Sequence, residues 1–160
     1  MNKAILLTGG SAGIGKATAL CLMKNGYIVY ALSRSGCEGQ EDAKSGGKII
    51  SISADVTKPE TLQQAVAQIV KEQGRIYGVI CNAGNGIAGA VEDTSLSELE
   101  YQLATNYYGV VNTVQACLPQ LRAQGGGKII TVSSMAAVAP IPYQTFYSSV
   151  KAGILAFTEA

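Results

Sequence analysis

The sequence predicts an α/β protein in which helices cover both faces of a doubly wound parallel sheet. Short runs rich in Ile, Val, Leu and Tyr alternate along the chain with helix-like segments, which is typical of βα units. The runs show little strict apolar–polar alternation, as expected of strands buried on both faces. We expect about five strands in the order 3-2-1-4-5, at residues 4–8, 27–32, 48–53, 76–81 and 128–133.

The segments between these strands carry distinct helix signals. A first helix is expected at about 14–25, because Asn25-Gly26 is a left-handed stop signal. The crossover at 35–47 is rich in glycine, so its helix is expected to be short. A third helix is predicted to begin after an N-cap at Thr57 and to end at Gly74.

Two further helices complete the pattern. One is expected at about 96–124, after a capping box formed by Ser95 and Glu98, with Pro119 bending its last turns. The other begins near Tyr147, and no glycine, asparagine or proline stop follows it. We therefore expect the chain to end inside a helical pattern, and we expect the whole sequence, 1–160, to form a single domain.

Composition narrows the classes of partner. The net charge is +1 and 14% of the residues are charged, so we expect a small-molecule substrate rather than nucleic acid. The sequence contains no histidine, which removes the commonest metal ligand and the commonest general base. We expect no metal site, and any catalysis has to use Tyr, Lys, Ser or a carboxylate.

The cysteines and the N-terminal segment bear on location. Cys21, Cys37, Cys81 and Cys117 lie far apart without C-x2-C spacing, and three of them fall in apolar segments. We expect reduced core thiols in a cytoplasmic protein. The N-terminal segment has neither a cleavage-site pattern nor a run of about 18 apolar residues, so no export or membrane anchoring is expected.

A glycine-rich turn follows the first predicted strand and opens the first predicted helix. Gly9 permits a sharp turn, Gly13 lets the backbone approach a pyrophosphate, and Gly15 lets the helix lie close to the sheet. The helix N-terminus adds a positive dipole end that favours phosphate. Such a turn can also be only a loop that needs positive φ, so the surrounding pattern must decide.

The spacing Thr-Gly-x3-Gly-x-Gly, from Thr8 to Gly15, resembles the cofactor fingerprint of the short-chain dehydrogenase/reductase family. Further motifs of that family follow in the same order, namely Asp55-Val56, Asn82-Ala83-Gly84, Asn106, and Ser134 with Tyr147-x3-Lys151. The resemblance implies a Rossmann-like fold, a nicotinamide cofactor, and oxidoreductase activity on a carbonyl or secondary alcohol. It also implies a homodimer or homotetramer.

Four residues are candidates for catalysis. Tyr147 and Lys151 stand four residues apart, so on a helix both side chains point from one face. An ammonium beside a phenol favours the phenolate, which suits Tyr147 to proton transfer with a carbonyl or alcohol; a surface Tyr–Lys pair is the alternative. The resemblance assigns Ser134, thirteen positions before Tyr147, to the substrate carbonyl in preference to Ser133. It assigns Asn106 to a water in the proton relay.

The cofactor assignments also follow from the resemblance. Asp55 would accept a hydrogen bond from the adenine amino group, although it could instead be only a turn carboxylate ahead of Thr57. Cys81 stands where the family usually has a first Asn, and we expect little consequence. The full set of predicted cofactor residues is Gly9, Ser11, Gly13, Ile14, Gly15, Ser33, Arg34, Asp55, Val56, Asn82, Ala83, Gly84, Tyr147 and Lys151.

The end of the second predicted strand indicates which nicotinamide is bound. Enzymes that use NAD usually carry an acidic residue there, which binds the ribose 2′-hydroxyl. This sequence has Ser33 and Arg34 instead, and a guanidinium can clamp a 2′-phosphate while the serine donates a hydrogen bond. NADP(H) is therefore favoured, although Ala12 lacks the basic side chain that many NADP-preferring relatives have.

A second hypothesis is a nucleotide-binding module or fragment without catalytic activity. The resemblance implies that the C-terminal strands of the domain are missing, because family members run to about 250 residues. The absent part would contribute two more strands, the substrate lid and the far wall of the nicotinamide pocket. The substrate itself is not predicted beyond a mild preference for an apolar carbonyl, suggested by the apolar run 135–142. We also expect self-association, because strand 128–133 would be an unpaired sheet edge.

Overall fold

The computed structural model describes residues 3–160, and within them six strands form one sheet in the order β3-β4-β2-β1-β5-β6. The strands are β1 (Lys3–Thr8), β2 (Tyr27–Ser33), β3 (Gln40–Asp42), β4 (Gly47–Ser53), β5 (Gly78–Cys81) and β6 (Lys128–Thr131). Every pairing is parallel except that of β3 with β4. The predicted fold class is confirmed, and β4-β2-β1-β5-β6 is the predicted order 3-2-1-4-5.

The predicted short helix within 35–47 is wrong, because this crossover contains strand β3 instead. The Asp42 carboxylate accepts hydrogen bonds from the Lys44 N–H (3.3 Å) and the Ser45 hydroxyl (2.7 Å), which closes a tight turn. Gly46, at φ +71°, completes the reversal, and Lys48 pairs with Glu41 across it at 3.1 Å. Local side-chain bonds and glycines thus favour a hairpin over a helix here.

The helices lie near their predicted positions. They are α1 (Gly13–Lys24), α2 (Pro59–Gln73), α3 (Leu96–Leu103), α4 (Gly109–Ala123) and α5 (Thr145–Glu159). α1 ends at Asn25 with Gly26 at φ +78°, and α2 ends at Gly74 in the left-handed conformation, as predicted. The N-cap prediction for α2 is wrong, because Lys58 occupies that position and the Thr57 hydroxyl donates to Asp55 instead (2.8 Å).

The segment predicted as one helix at 96–124 contains a π-helical turn. The predicted capping box of Ser95 and Glu98 is present at its start. Between α3 and α4, however, residues Ala104–Tyr108 form a π-helix, and α4 continues through Pro119 before the glycines after residue 124. A π-turn inside an α-helix is often found at a functional site, and this one carries Asn106.

The core lies on both faces of the sheet, and it corrects one prediction. Ala4–Leu7 of β1 and Val29–Leu32 of β2 are buried, as expected of central strands. Cys81 and Cys117 are buried, and burial raises the pKa of each thiol to about 12. Cys21 is exposed on α1 and Cys37 is only partly buried, so the prediction of core thiols is wrong for Cys21.

No helix within residues 3–160 is long and apolar enough to cross a membrane. The same residues contain no cluster of three or more Cys, Asp or Glu side chains that could hold a metal ion.

Candidate active site

Two adjoining cavities lie at the carboxyl edge of the sheet. The first, of about 630 Å³, is called here the glycine-turn cavity. Every predicted cofactor residue except Tyr147 and Lys151 lines it. The second, of about 570 Å³, is called the tyrosine cavity, and its lining includes Ser134, Tyr147 and Lys151. Ile14, Asn82 and Gly84 line both, so the two cavities form one continuous groove.

Three glycines shape the floor of the glycine-turn cavity. Gly9 turns the chain out of β1 at φ +70°. Gly13 has φ +52° and open space where a Cβ would stand, so its backbone is accessible to a ligand. A Cβ on Gly15 would instead overlap the Gly9 carbonyl, so this glycine allows α1 to pack on the turn. The conformations agree with the separate tasks expected of the three residues.

The N-terminus of α1 faces this cavity without a side-chain cap. Its N-cap residue is Ala12, which makes no side-chain hydrogen bond, and the first turn contains no acidic residue. The first backbone N–H groups and the positive end of the helix dipole are therefore available to an anion. Together with the open space at Gly13, this arrangement fits a pyrophosphate.

Ser33 and Arg34 lie at the end of β2, in the wall of the glycine-turn cavity. The Ser33 hydroxyl oxygen is buried and has no hydrogen-bond partner among residues 3–160. Arg34 is exposed beside it. A hydroxyl without a partner next to an exposed guanidinium fits a ligand phosphate that would supply the missing acceptor.

Asp55 is held in a turn after β4. Burial acts to raise its pKa, but hydrogen bonds from the Thr57 N–H (3.0 Å) and hydroxyl outweigh it, with help from Arg34 and Lys58. The pKa of Asp55 is therefore below its ordinary value, and the group is a carboxylate at neutral pH. Asp55 therefore stabilises the turn before Thr57, as the alternative interpretation of the sequence predicted, and it also lines the glycine-turn cavity.

Two side chains join the turn after β1 to the turn after β5, at the boundary between the cavities. The Thr8 hydroxyl oxygen accepts from the N–H groups of Asn82 (3.0 Å) and Ala83 (3.1 Å). The Asn82 carboxamide donates back to the carbonyls of Thr8 (3.0 Å) and Gly9 (3.3 Å). Asn82 therefore fixes the glycine-rich turn as well as lining the groove.

Tyr147 and Lys151 lie one turn apart on α5 and face the tyrosine cavity together. The Lys151 Nζ is 5.9 Å from the centroid of the Tyr147 ring and donates to the Val132 carbonyl at 2.8 Å. Lys151 is only 6% exposed, and this burial lowers the pKa of its ammonium. The structure thus brings Tyr147 and Lys151 together in a cavity where the Lys151 side chain is largely shielded from solvent.

The two serines after β6 have different surroundings. The Ser133 hydroxyl donates to the Lys151 carbonyl at 2.9 Å, which ties the strand end to α5. The Ser134 oxygen accepts from the Ala136 N–H at 3.1 Å and caps the short 3-10 turn Met135–Ala137. Because Ser134 accepts that bond, its own proton is free to be donated into the tyrosine cavity.

Asn106 does not line either cavity but stands directly behind the wall. It is fully buried, and its carboxamide binds the Asn85 backbone through both the N–H (2.8 Å) and the carbonyl (2.7 Å). A Cβ on Gly84 would come within 2.7 Å of the Asn106 Oδ1 and 3.7 Å of the Lys151 Nζ. Both side chains therefore approach the space that a side chain at position 84 would occupy.

Three residues on the helix before Asn106 were not identified from the sequence. Thr105 lines the glycine-turn cavity, and the buried Gln102 accepts from the Ile87 N–H at 2.9 Å. The Tyr101 hydroxyl lies near the Asn85 carboxamide and Arg34, which lower its pKa, although its contact with Asn85 lacks hydrogen-bond geometry. Polar residues at helical spacing before Asn106 are the one signal that could have indicated them.

The fold and the groove define a doubly wound α/β protein with a Ser–Tyr–Lys cluster at one end of a groove along the carboxyl edge of its sheet. Residues 3–160 match the family model described as short chain dehydrogenase, and the chain belongs to that family.

A similar protein is named as a reductase, and similar solved structures contain NADP or NAD. The chain is 45% identical over 156 residues to the 3-ketodihydrosphingosine reductase of Bacteroides thetaiotaomicron, covering 98% of this chain but 56% of that protein. The solved structure of ElxO with NADP bound has a TM-score of 0.87 at 28% identity, covering 98% of this chain and 65% of that one. NADH-dependent reductase A1-R′ with NAD has a TM-score of 0.85 at 26% identity, covering 99% and 70%.

Proposed function

We propose that the protein is an NADP(H)-dependent oxidoreductase that interconverts a carbonyl and a secondary alcohol. The observation that carries this proposal is the continuity of the groove, in which Ile14, Asn82 and Gly84 belong to both cavities. A dinucleotide with its pyrophosphate at the α1 N-terminus would place its nicotinamide beside the Ser–Tyr–Lys cluster. A bound nicotinamide would supply or accept the hydride.

The residues of the tyrosine cavity would handle the proton. Tyr147 would donate its hydroxyl proton to the carbonyl oxygen, and Ser134 would hold that oxygen with its own free proton. The Lys151 ammonium, on the same helix face, would stabilise the phenolate that Tyr147 becomes and would bind the nicotinamide ribose. Asn106, behind Gly84, would complete the relay through a water, as the family resemblance implies.

We propose NADP(H) in preference to NAD(H) because of the end of β2. The unpaired Ser33 hydroxyl and the exposed Arg34 supply a donor and a cation where a carboxylate would repel a 2′-phosphate. The ElxO structure with NADP supports this choice, whereas the A1-R′ structure shows that the same fold also holds NAD. The choice therefore depends on this chain's own residues.

We propose a ketone with an apolar chain as the substrate class. The Bacteroides relative is named for a keto substrate. Exposed apolar side chains follow Ser134 along the chain, namely Met135 (83% exposed), Val138 (73%) and Ile141 (45%). An apolar substituent could pack against them, because burying such surface favours binding.

The test is calorimetric titration of the protein with NADPH and with NADH, followed by turnover of a ketone panel that includes long-chain and small polar members. We expect tighter binding of NADPH and faster reduction of the apolar ketones. Tighter binding of NADH would contradict the cofactor proposal. Binding of NADPH without turnover of any ketone would favour a nucleotide-binding module instead.

A further inference from the structure

Gln102 is a fully buried polar side chain to which the proposed reaction gives no part. It lies on α3 with 0% exposure, and its Oε1 accepts from the Ile87 N–H at 2.9 Å. Its Nε2 is also buried and makes no hydrogen bond to any residue in 3–160. Buried polar atoms without partners are uncommon and disfavour folding. The unpaired Nε2 therefore makes it necessary to explain why a glutamine stands here, and the bond from Ile87 to its Oε1 is the contact that could explain it.

Gln102 and Asn106 stand one helical turn apart and hold the same loop. Asn106 binds both backbone polar groups of Asn85, and Gln102 binds the N–H of Ile87 two residues later. The loop after β5 contains neither helix nor strand at these positions. The two carboxamides therefore supply the hydrogen bonds that secondary structure would otherwise give this backbone.

The loop they hold forms one wall of the tyrosine cavity. Gly84, Asn85, Gly86 and Ile87 all line that cavity. A Cβ on Gly86 would lie 3.9 Å from the Cδ2 and Cε2 atoms of the Tyr147 ring. A displacement of this backbone would therefore change the space in which Tyr147 and a carbonyl must meet.

We propose that Gln102 is a positioning residue, which acts through Ile87 to keep the Asn85–Ile87 backbone against Tyr147. This inference rests on the proposed oxidoreductase function. Gln102 touches neither cavity, so it affects the rate only through the loop. A misplacement of about 1 Å at a reacting centre can cost up to a hundredfold in rate, which makes such a role measurable.

The experiment compares three variants of the protein. Gln102→Met removes the acceptor while keeping a similar volume, and Gln102→Glu keeps an oxygen that can accept from Ile87. Thr113→Val is the matched control, because it removes another buried polar bond, 2.6 Å to the Gly109 carbonyl, on α4 and away from the loop. The readouts are hydrogen exchange of the Ile87 amide, the NADPH dissociation constant, and kcat.

In Gln102→Met we expect faster exchange at Ile87, a kcat lower by about tenfold, and an NADPH dissociation constant within about twofold of wild type. Gln102→Glu should restore both protection and kcat, and Thr113→Val should change neither. Unchanged exchange in Gln102→Met, faster exchange with unchanged kcat, or an equal loss of kcat in Thr113→Val would overturn the proposal. If the wild-type protein reduces no ketone, the proposed function fails, and Ile87 exchange alone decides whether Gln102 holds the loop.

Discussion

The two cavities of the groove are built differently. The glycine-turn cavity is formed mainly by residues at or just after the ends of β1, β2, β4 and β5, and Arg34 and Ile14 are exposed in it. The tyrosine cavity draws on the loop after β5, the end of β6, and α5, and it is supported by the buried Lys151 and Asn106. Substitutions of the exposed side chains in the first cavity should therefore alter affinity with little cost to folding, whereas substitutions in the second cavity should alter the rate.

The largest expected effect is on the rate, from Tyr147→Phe. Removal of the hydroxyl that protonates the carbonyl should lower kcat by about a thousandfold, while NADPH affinity stays within about twofold. Steady-state kinetics and calorimetry measure the two quantities. The control is Tyr143→Phe, the same change at a tyrosine that is 69% exposed and lines neither cavity; it should keep kcat. A Tyr147→Phe variant that keeps a tenth of the rate would exclude the acid/base role.

The next effect is on cofactor choice. The double change Ser33→Asp with Arg34→Ala replaces the phosphate-binding pair with a carboxylate that repels a 2′-phosphate. We expect the ratio of the NADPH and NADH dissociation constants to change by roughly a hundredfold toward NADH, with kcat largely kept. Titration of both cofactors gives the ratio. An unchanged ratio would show that the end of β2 does not recognise the phosphate.

Two glycines of the turn should separate folding from binding. Gly15→Ala places a Cβ on the Gly9 carbonyl and should reduce the free energy of unfolding by up to about 3 kcal/mol. Gly13→Ala meets no atom and bears only the cost of a positive φ, about 1 kcal/mol, but its methyl group enters the space proposed for the pyrophosphate.

The control for Gly13→Ala is Gly74→Ala, at the end of α2. Gly74 has φ +75° and open space, so it should bear the same cost to folding without any change in NADPH affinity. Denaturant unfolding and calorimetry measure the two effects. Equal NADPH affinity in Gly13→Ala and Gly74→Ala would show that the pyrophosphate does not bind at the glycine-rich turn.

The smallest expected effect is on stability at alkaline pH. Burial lowers the pKa of Lys151 in the folded state, so between that pKa and the ordinary value of 10.5 the unfolded chain binds more protons. The stability of wild type relative to Lys151→Met should therefore rise with pH across this window. Tyr30, whose pKa burial raises to about 12, acts in the opposite direction but is present in both proteins and cancels. If the stability of wild type relative to Lys151→Met fell with pH across this window, burial would not be lowering the pKa of Lys151.

The glycine-turn cavity was the more predictable of the two from the sequence. Its residues follow strand ends within short motifs, and parallel strands bring such ends to one edge of the sheet. The structure groups every predicted cofactor residue except Tyr147 and Lys151 in this cavity, and the roles of these residues are proposals. The Tyr147–Lys151 pair was also predictable, because helical spacing alone places both side chains on one face.

What the sequence did not reveal depends on contacts between distant residues. Gln102 is defined by a bond to Ile87, 15 positions away, and the π-turn at Asn106 has no local pattern. The predicted Thr57 cap is absent because the threonine hydroxyl donates to Asp55, and the predicted 35–47 helix is absent because Asp42 and the glycines stabilise a hairpin. In these two segments a side-chain hydrogen bond outweighed a propensity of a few tenths of a kcal/mol.

The most direct test of the account is the transfer of deuterium from NADPH to an apolar ketone. The NADPH carries deuterium in place of the hydrogen that is transferred as hydride, and mass spectrometry measures the deuterium in the alcohol. With wild type saturated by NADPH, we predict one deuterium on the carbinol carbon. Tyr147→Phe, equally saturated, should give almost none in the same time. Absence of label from the saturated wild type, or equal labelling by the two proteins, would contradict the account. In that account NADPH binds along the glycine-turn cavity and the ketone is reduced at Tyr147 in the tyrosine cavity.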